Sequence, residues 1–235
     1  MKAMAWLTAL LALTFAGAPF VTEPFTGFRA DQLPIPQENP PIQPAGYAFS
    51  IWGVIYLWLV VSCIYGAIKR PNDAEWHKTR PWLIISLAVG TTWLAIANSS
   101  VLWATITIWI MLATALAALF ASPAKDRLLL RAPIGLYAGW LSAASFVSLA
   151  ALLAGNGLIT DAYGWALILI PAALLLAAIV QITQTKAPEY GIAVAWALVA
   201  ITVRNGQDVL TIAALAAACA VIMAALAIRS ARQTA

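Results

Sequence analysis

Residues 101–121 read VLWATITIWIMLATALAALFA, without one charged side chain. A bilayer core about 30 Å thick is crossed by about 20 helical residues rising about 1.5 Å each, so this stretch is long enough to span it. The preceding apolar run, 82–99, is parted from it only by the polar step Asn98-Ser99-Ser100. One helix of about 40 residues would overshoot the bilayer, so the step predicts a tight turn between two helices. Working outward, further runs lie at 3–22, 47–68, 132–154, 163–183, 190–203 and 209–228. Each reads as a transmembrane helix, giving about eight. The run at 190–203 is short and has to be extended by its flanks or sheltered by neighbours.

The 235 residues are 63% hydrophobic and 9% charged, against roughly 45–50% and 25% in soluble domains. The expected fold is therefore all-α, a polytopic transmembrane helical bundle with no separate soluble domain. Lys and Arg segregate on alternate sides of these spans. Lys2, Lys69, Arg70, Lys78, Arg80, Lys125, Arg127, Arg131, Lys186, Arg229 and Arg232 fall on one side, and only Arg29 and Arg204 on the other. Positive charge is retained in the cytoplasm, so both termini are expected there, and short loops with abundant alanine fit a bacterial inner membrane. The first run reads as a retained helix rather than a cleaved leader, because it stays apolar to residue 22.

No Asp, Glu, Lys or His falls inside an expected span. Ion pumps, proton-coupled carriers and voltage sensors need such groups within the membrane, so these classes are disfavoured. A retinal Schiff base needs a late-helix lysine, and Lys186 lies in a loop. His77 stands alone, and no metal-ligand spacing, phosphate loop or nucleophile triad is visible, so no catalytic residue is assigned. Cys63 and Cys219 sit in apolar runs as small packing residues. No basic stretch interleaved with aromatics suggests nucleic acid. Arg204 and Asp208 frame the last turn and are expected to form an ion pair. The one long connection, residues 23–46, carries Pro34, Pro36, Pro40, Pro41 and Pro44. It is semi-extended, either a linker or a lid.

Tryptophan is abundant, eleven in all. Trp82 and Trp165 suit interfacial anchors, whereas Trp52, Trp93 and Trp140 lie nearer helix middles. Indoles around a shared cavity would suit a planar apolar ligand, each N–H offering one orienting bond; the alternative is plain packing. The stretch Asn39-Pro40-Pro41 followed by Tyr47-Ala48-Phe49-Ser50-Ile51-Trp52-Gly53-Val54-Ile55-Tyr56 resembles the first loop and second helix of the tryptophan-rich sensory protein family, TspO/MBR or translocator proteins. Gly17-Ala18-Pro19, Trp93, and the segment from Tyr137 through Trp140 to Ser145 agree with that family's first, third and fifth helices. Gly90 and Ser148 depart from it, standing where the family tends to carry asparagine.

The resemblance covers roughly residues 5–150. It implies a TspO-like five-helix core over 1–155, including loop 23–46, with three additional helices and a short tail over 156–235. It further implies a pocket roofed by the first loop, binding porphyrin-like or sterol-like molecules, often in a homodimer. By match, Phe49, Trp52, Tyr56, Trp93, Tyr137, Trp140 and Ser145 would line or border it. No cofactor is required; porphyrin or haem would be a ligand, and the partners are membrane lipid and a hydrophobic small molecule. Two other readings stay open: a transporter of a neutral or lipophilic molecule, with broken helices near Gly90 or Pro133, and a membrane enzyme acting on porphyrin or isoprenoid lipid through loop acids such as Asp31, Glu38, Asp161 or Asp208. The charge segregation is directly testable: a fluorescent protein fused after residue 235 should mature, while alkaline phosphatase fused within 206–208 should be active. The reverse pattern would invert the orientation.

Overall fold

The structure is a computed structural model that describes residues 1–23, 25–123 and 125–233. Eight α-helices follow in order: α1 Lys2–Gly17, α2 Ile51–Lys69, α3 Ala74–Ser99, α4 Val101–Ala121, α5 Arg131–Gly155, α6 Ala162–Thr183, α7 Pro188–Asn205 and α8 Leu210–Arg232. No strand occurs among the described residues. Seven helices are long and apolar enough to cross a membrane; α7 is the exception. It is short because Glu189 and Arg204 bound its apolar stretch, and it is sheltered because α5 and α8 flank it and bury Tyr190, Ala193, Ala197 and Ala200.

The turn between α3 and α4 is a single extended residue, Ser100, whose hydroxyl accepts from the Trp103 N–H and caps α4. Asp73 caps α3 in the same way, accepting from the N–H groups of Glu75 and Trp76. That cap starts α3 eight residues before the apolar run, so Glu75, His77 and Lys78 are helical rather than loop residues. Pro81 falls in the second turn and does not break the helix. Both α3 and α5 run unbroken through Gly90 and Pro133, the places where interruption was expected of a carrier.

The helices close two rings that share α5. In the first, α1 lies on α2 and α3, α3 on α4, α4 on α5, and α2 returns to α5; in the second, α5, α6, α8 and α7 pack around one another. The shared helix is the most buried of the spans. Its small residues permit this: a side chain at Gly139 would overlap the carbonyl oxygen of Tyr190 on α7, so the backbones touch there. Three residues on, the Ser142 and Tyr190 hydroxyls are 2.9 Å apart. Apolar surface gains little by leaving lipid, so close packing of small residues and such hydrogen bonds hold the helices together.

The end rich in Lys and Arg is stapled by ion pairs. Arg70 grips Asp126 at 2.7 and 3.2 Å, and the Trp76 indole donates to the same carboxylate at 3.0 Å. Lys125 pairs with Asp73 at 3.1 Å and Arg127 with Glu189 at 2.5 Å, tying the α4–α5 loop to α3 and α7. The Arg70 hydrogen bond holds the Asp126 carboxyl below its ordinary range; backbone donation from Trp76 and the nearby Lys125 do the same for Asp73. The expected ion pair between Arg204 and Asp208 does not form: Arg204 instead donates to the Asn39 side chain at 2.6 Å. The Gly139 contact predicts a contrast. Gly139→Val should cost about 1–3 kcal/mol or more by overpacking and lower the melting temperature in detergent, whereas Gly53→Ala, with nothing within 4 Å of its new methyl, should be neutral or stabilising. Equal melting of both variants would contradict the packing.

Candidate functional site

The first ring encloses an aromatic cluster. Phe15 of α1 meets Trp52, Tyr56 and Tyr137 edge-on at 5.8, 4.9 and 5.7 Å, and Trp52 stacks on Tyr56 at 5.1 Å. Trp140 sits edge-on to Trp52 and Phe49 at 6.3 and 6.0 Å. Gly90 makes room for this arrangement, since any side chain there would strike the Phe15 ring.

Two apolar cavities flank the cluster. One, of about 70 Å³, is bounded by Phe28, Phe49, Trp52, Trp93 and Trp140, by small α5 residues including Ala144 and Ser148, and by Ala197 and Ile201 of α7. The other, of about 250 Å³, lies between Phe15, Tyr56, Gly90, Leu94 and Met111, with Glu23 at its edge. Phe25, Phe49, Trp52 and Trp93 border both, so these four side chains are the partition. Sites for drug-sized molecules run roughly 300–1,000 Å³. Neither cavity alone reaches that range, and swinging the partition would merge them.

Polar groups are few. The Trp93 indole donates to the Ala104 carbonyl at 3.0 Å, and Ser148 is bound to Thr105 at 2.8 Å. The Trp140 indole N–H is buried and has no hydrogen-bond partner among the described residues. Among the described residues that line the first cavity, Trp140 alone keeps a buried donor without a partner.

Residues 25–48 roof the site. Their backbone is held at three points, so the connection is a pinned roof rather than a loose linker. On α3, Ala97 accepts from the Gln32 side chain at 2.9 Å. On α5, Gly155 accepts from the Ile35 N–H at 2.9 Å. The third anchor, α7, does most: Ala200 accepts from the Ala45 N–H at 3.1 Å, Asn205 donates to the Pro41 carbonyl at 2.8 Å, and the Trp196 indole donates to the Ala48 carbonyl at 3.0 Å. Asn39 adopts a left-handed conformation, φ 51°, that presents its side chain to Arg204.

Of the residues expected at the site, Phe49, Trp52, Trp93 and Trp140 line the first cavity, and Tyr56 lines the second. Tyr137 and Ser145 lie behind the wall instead. Tyr137 is fully buried with its hydroxyl 2.9 Å from Ser86, and Ser145 faces the Ile108 carbonyl at 3.5 Å. Phe15, Phe25, Phe28, Trp196, Ala197 and Ile201 were not anticipated. A Phe-x-x-Phe pair in the roof loop was the available signal for two of them; nothing in the hydropathy of α7 marks it as a wall.

Of the loop acids proposed for catalysis, Asp31 pairs with Arg29 and Asp161 caps α6. No group of His, Cys, Asp and Glu suited to a metal occurs among the described residues. A family model described as TSPO-like protein matches residues 3–229, a range that includes α6, α7 and most of α8. No curated protein and no solved structure matches the chain significantly. Pinning by α7 predicts that Asn205→Ala and Trp196→Phe each speed amide exchange at Ala45 about fivefold, the equivalent of one hydrogen bond of about 1 kcal/mol, without changing Ile35. Unchanged exchange at Ala45 would contradict it.

Proposed function

The chain belongs to the TSPO-like family, and from that premise we propose that it is an integral membrane receptor for a hydrophobic, largely planar ligand of the tetrapyrrole, sterol or isoprenoid type, held beneath the roof in a sensory or regulatory role. The observation that carries this reading is the aromatic, mostly apolar lining of the first cavity, in which Trp140 keeps a buried indole N–H without a partner among the described residues. An unsatisfied buried donor costs about 1–3 kcal/mol, and a ligand carbonyl or carboxylate placed against it recovers that cost while fixing the ligand's orientation. The surrounding rings add stacking and edge contacts of about 0.5–1.5 kcal/mol each beyond area burial. A bulky ligand requires Phe25, Phe49, Trp52 and Trp93 to move, so binding is coupled to opening of the partition.

A binder is favoured over a carrier because the spans are continuous at Gly90 and Pro133, whereas carriers commonly build midplane sites from broken helices. Protoporphyrin should quench the intrinsic tryptophan fluorescence of the purified chain saturably at micromolar concentration. Trp140→Phe keeps an aromatic ring and deletes the donor, and should weaken binding about five- to tenfold; Trp52→Phe should weaken it through lost stacking. Nonsaturable quenching, indifferent to both substitutions at matched folding, would remove this reading.

A further inference from the structure

A third cavity lies behind the first, in the second ring. Ala143 and Val147 of α5 and Ala197 and Ile201 of α7 border both, so the two spaces stand back to back across these side chains. The far walls are Leu169, Ile170, Ala173 and Leu174 of α6. One polar side chain borders this slot, Ser142, and its hydroxyl is already engaged with Tyr190 and with the Ala138 carbonyl, both at 2.9 Å. Among the described residues, none that lines the slot carries an unpaired buried polar atom. The slot measures about 20 Å³, so a chain enters it only if α6 shifts away from α7, which α6 touches only sparingly while packing on α5 and α8.

We infer that this slot between α5, α6 and α7 is a subsite for the hydrocarbon tail of a ligand whose polar head lies against Trp140. The inference rests on the proposed function and narrows its ligand to an amphiphile with a long alkyl or prenyl chain. The reasons are continuity and chemistry. The wall shared by the first cavity and the slot includes two alanines with small side chains, and beyond it the lining is apolar except for Ser142, whose hydroxyl is already engaged. A planar head has no use for such a slot, whereas a flexible chain gains dispersion contacts along its length. Because α6 and α7 contribute to the slot, these two helices take part in ligand selection and do not merely flank a five-helix site.

The test uses the full chain in lipid nanodiscs and straight-chain methyl ketones of increasing length, with affinity expressed per mole fraction of ketone in the membrane so that partitioning cancels. Wild-type affinity should keep rising, by about tenfold or more across the series, after the first cavity is full. Ala173→Phe fills the slot from α6 without touching the first cavity; it should bind the short ketones as wild type does and lose the rise with length. Identical length profiles in the two proteins would overturn the tail subsite. Absence of saturable binding of any ketone, together with absence of protoporphyrin quenching, would overturn the receptor reading on which it rests. A second measurement avoids the variant: a long ketone with a terminal diazirine should label α6 within 169–174 in wild type, and protoporphyrin should compete the label away. Labelling confined to other helices, or labelling of α6 that protoporphyrin leaves intact and that therefore reports ordinary bilayer chains, would overturn the inference.

Discussion

Close approach of α5 to α7 at Gly139 and Tyr190 is the constraint on which the rest of the molecule depends. Helices in lipid are not driven together by burial of apolar surface, so they associate where backbones can approach and where hydroxyls can bond across the gap. Here both occur within one turn, at Gly139 and at the pair Ser142 and Tyr190. That contact places α5 in both helix rings. It also shelters α7, which is too short to face lipid easily and whose other side is then free to hold the roof through Trp196, Ala200, Arg204 and Asn205.

The site inherits its character from this arrangement. Six helices and a pinned loop surround aromatic faces and the buried Trp140 donor, so in the proposed receptor shape and stacking would supply affinity while a single hydrogen bond would supply orientation. The structure holds small cavities split by the rings of Phe25, Phe49, Trp52 and Trp93. Under the proposed function, binding energy would have to offset the displacement of Phe25 and its neighbours and any loosening of the roof, which would favour ligands that fill the merged space. The ion pairs at the opposite end, centred on Asp126, fix the loops there.

Much of the fold was legible in the sequence because hydrocarbon imposes one rule on every span. The runs at 101–121 and 163–183 coincide with α4 and α6 to within one residue, and the polar step before Val101 is the turn the bilayer thickness demands. The start of α3 was missed because Asp73 caps a polar helical extension that hydropathy cannot see. The tryptophans at 52, 93 and 140 were legible as a group because their spacing along separate helices matched a family pattern. Phe15 was not, since its place depends on the absence of a side chain at Gly90, a pairing between helices distant in sequence. Likewise Arg204 was assigned to its neighbour Asp208, whereas its partner, Asn39, is brought to it only by the left-handed turn of the roof.

Everything proposed for the site converges on one proton, the Trp140 indole N–H. The decisive measurement is the two-dimensional 15N–1H spectrum of the indole groups, assigned by single Trp→Phe substitutions, recorded before and after saturation with protoporphyrin or a long-chain ketone. The account predicts that the Trp140 indole proton moves downfield as it gains an acceptor, while that of Trp93, already bonded to Ala104, stays in place. A Trp140 resonance unchanged at saturation would contradict it.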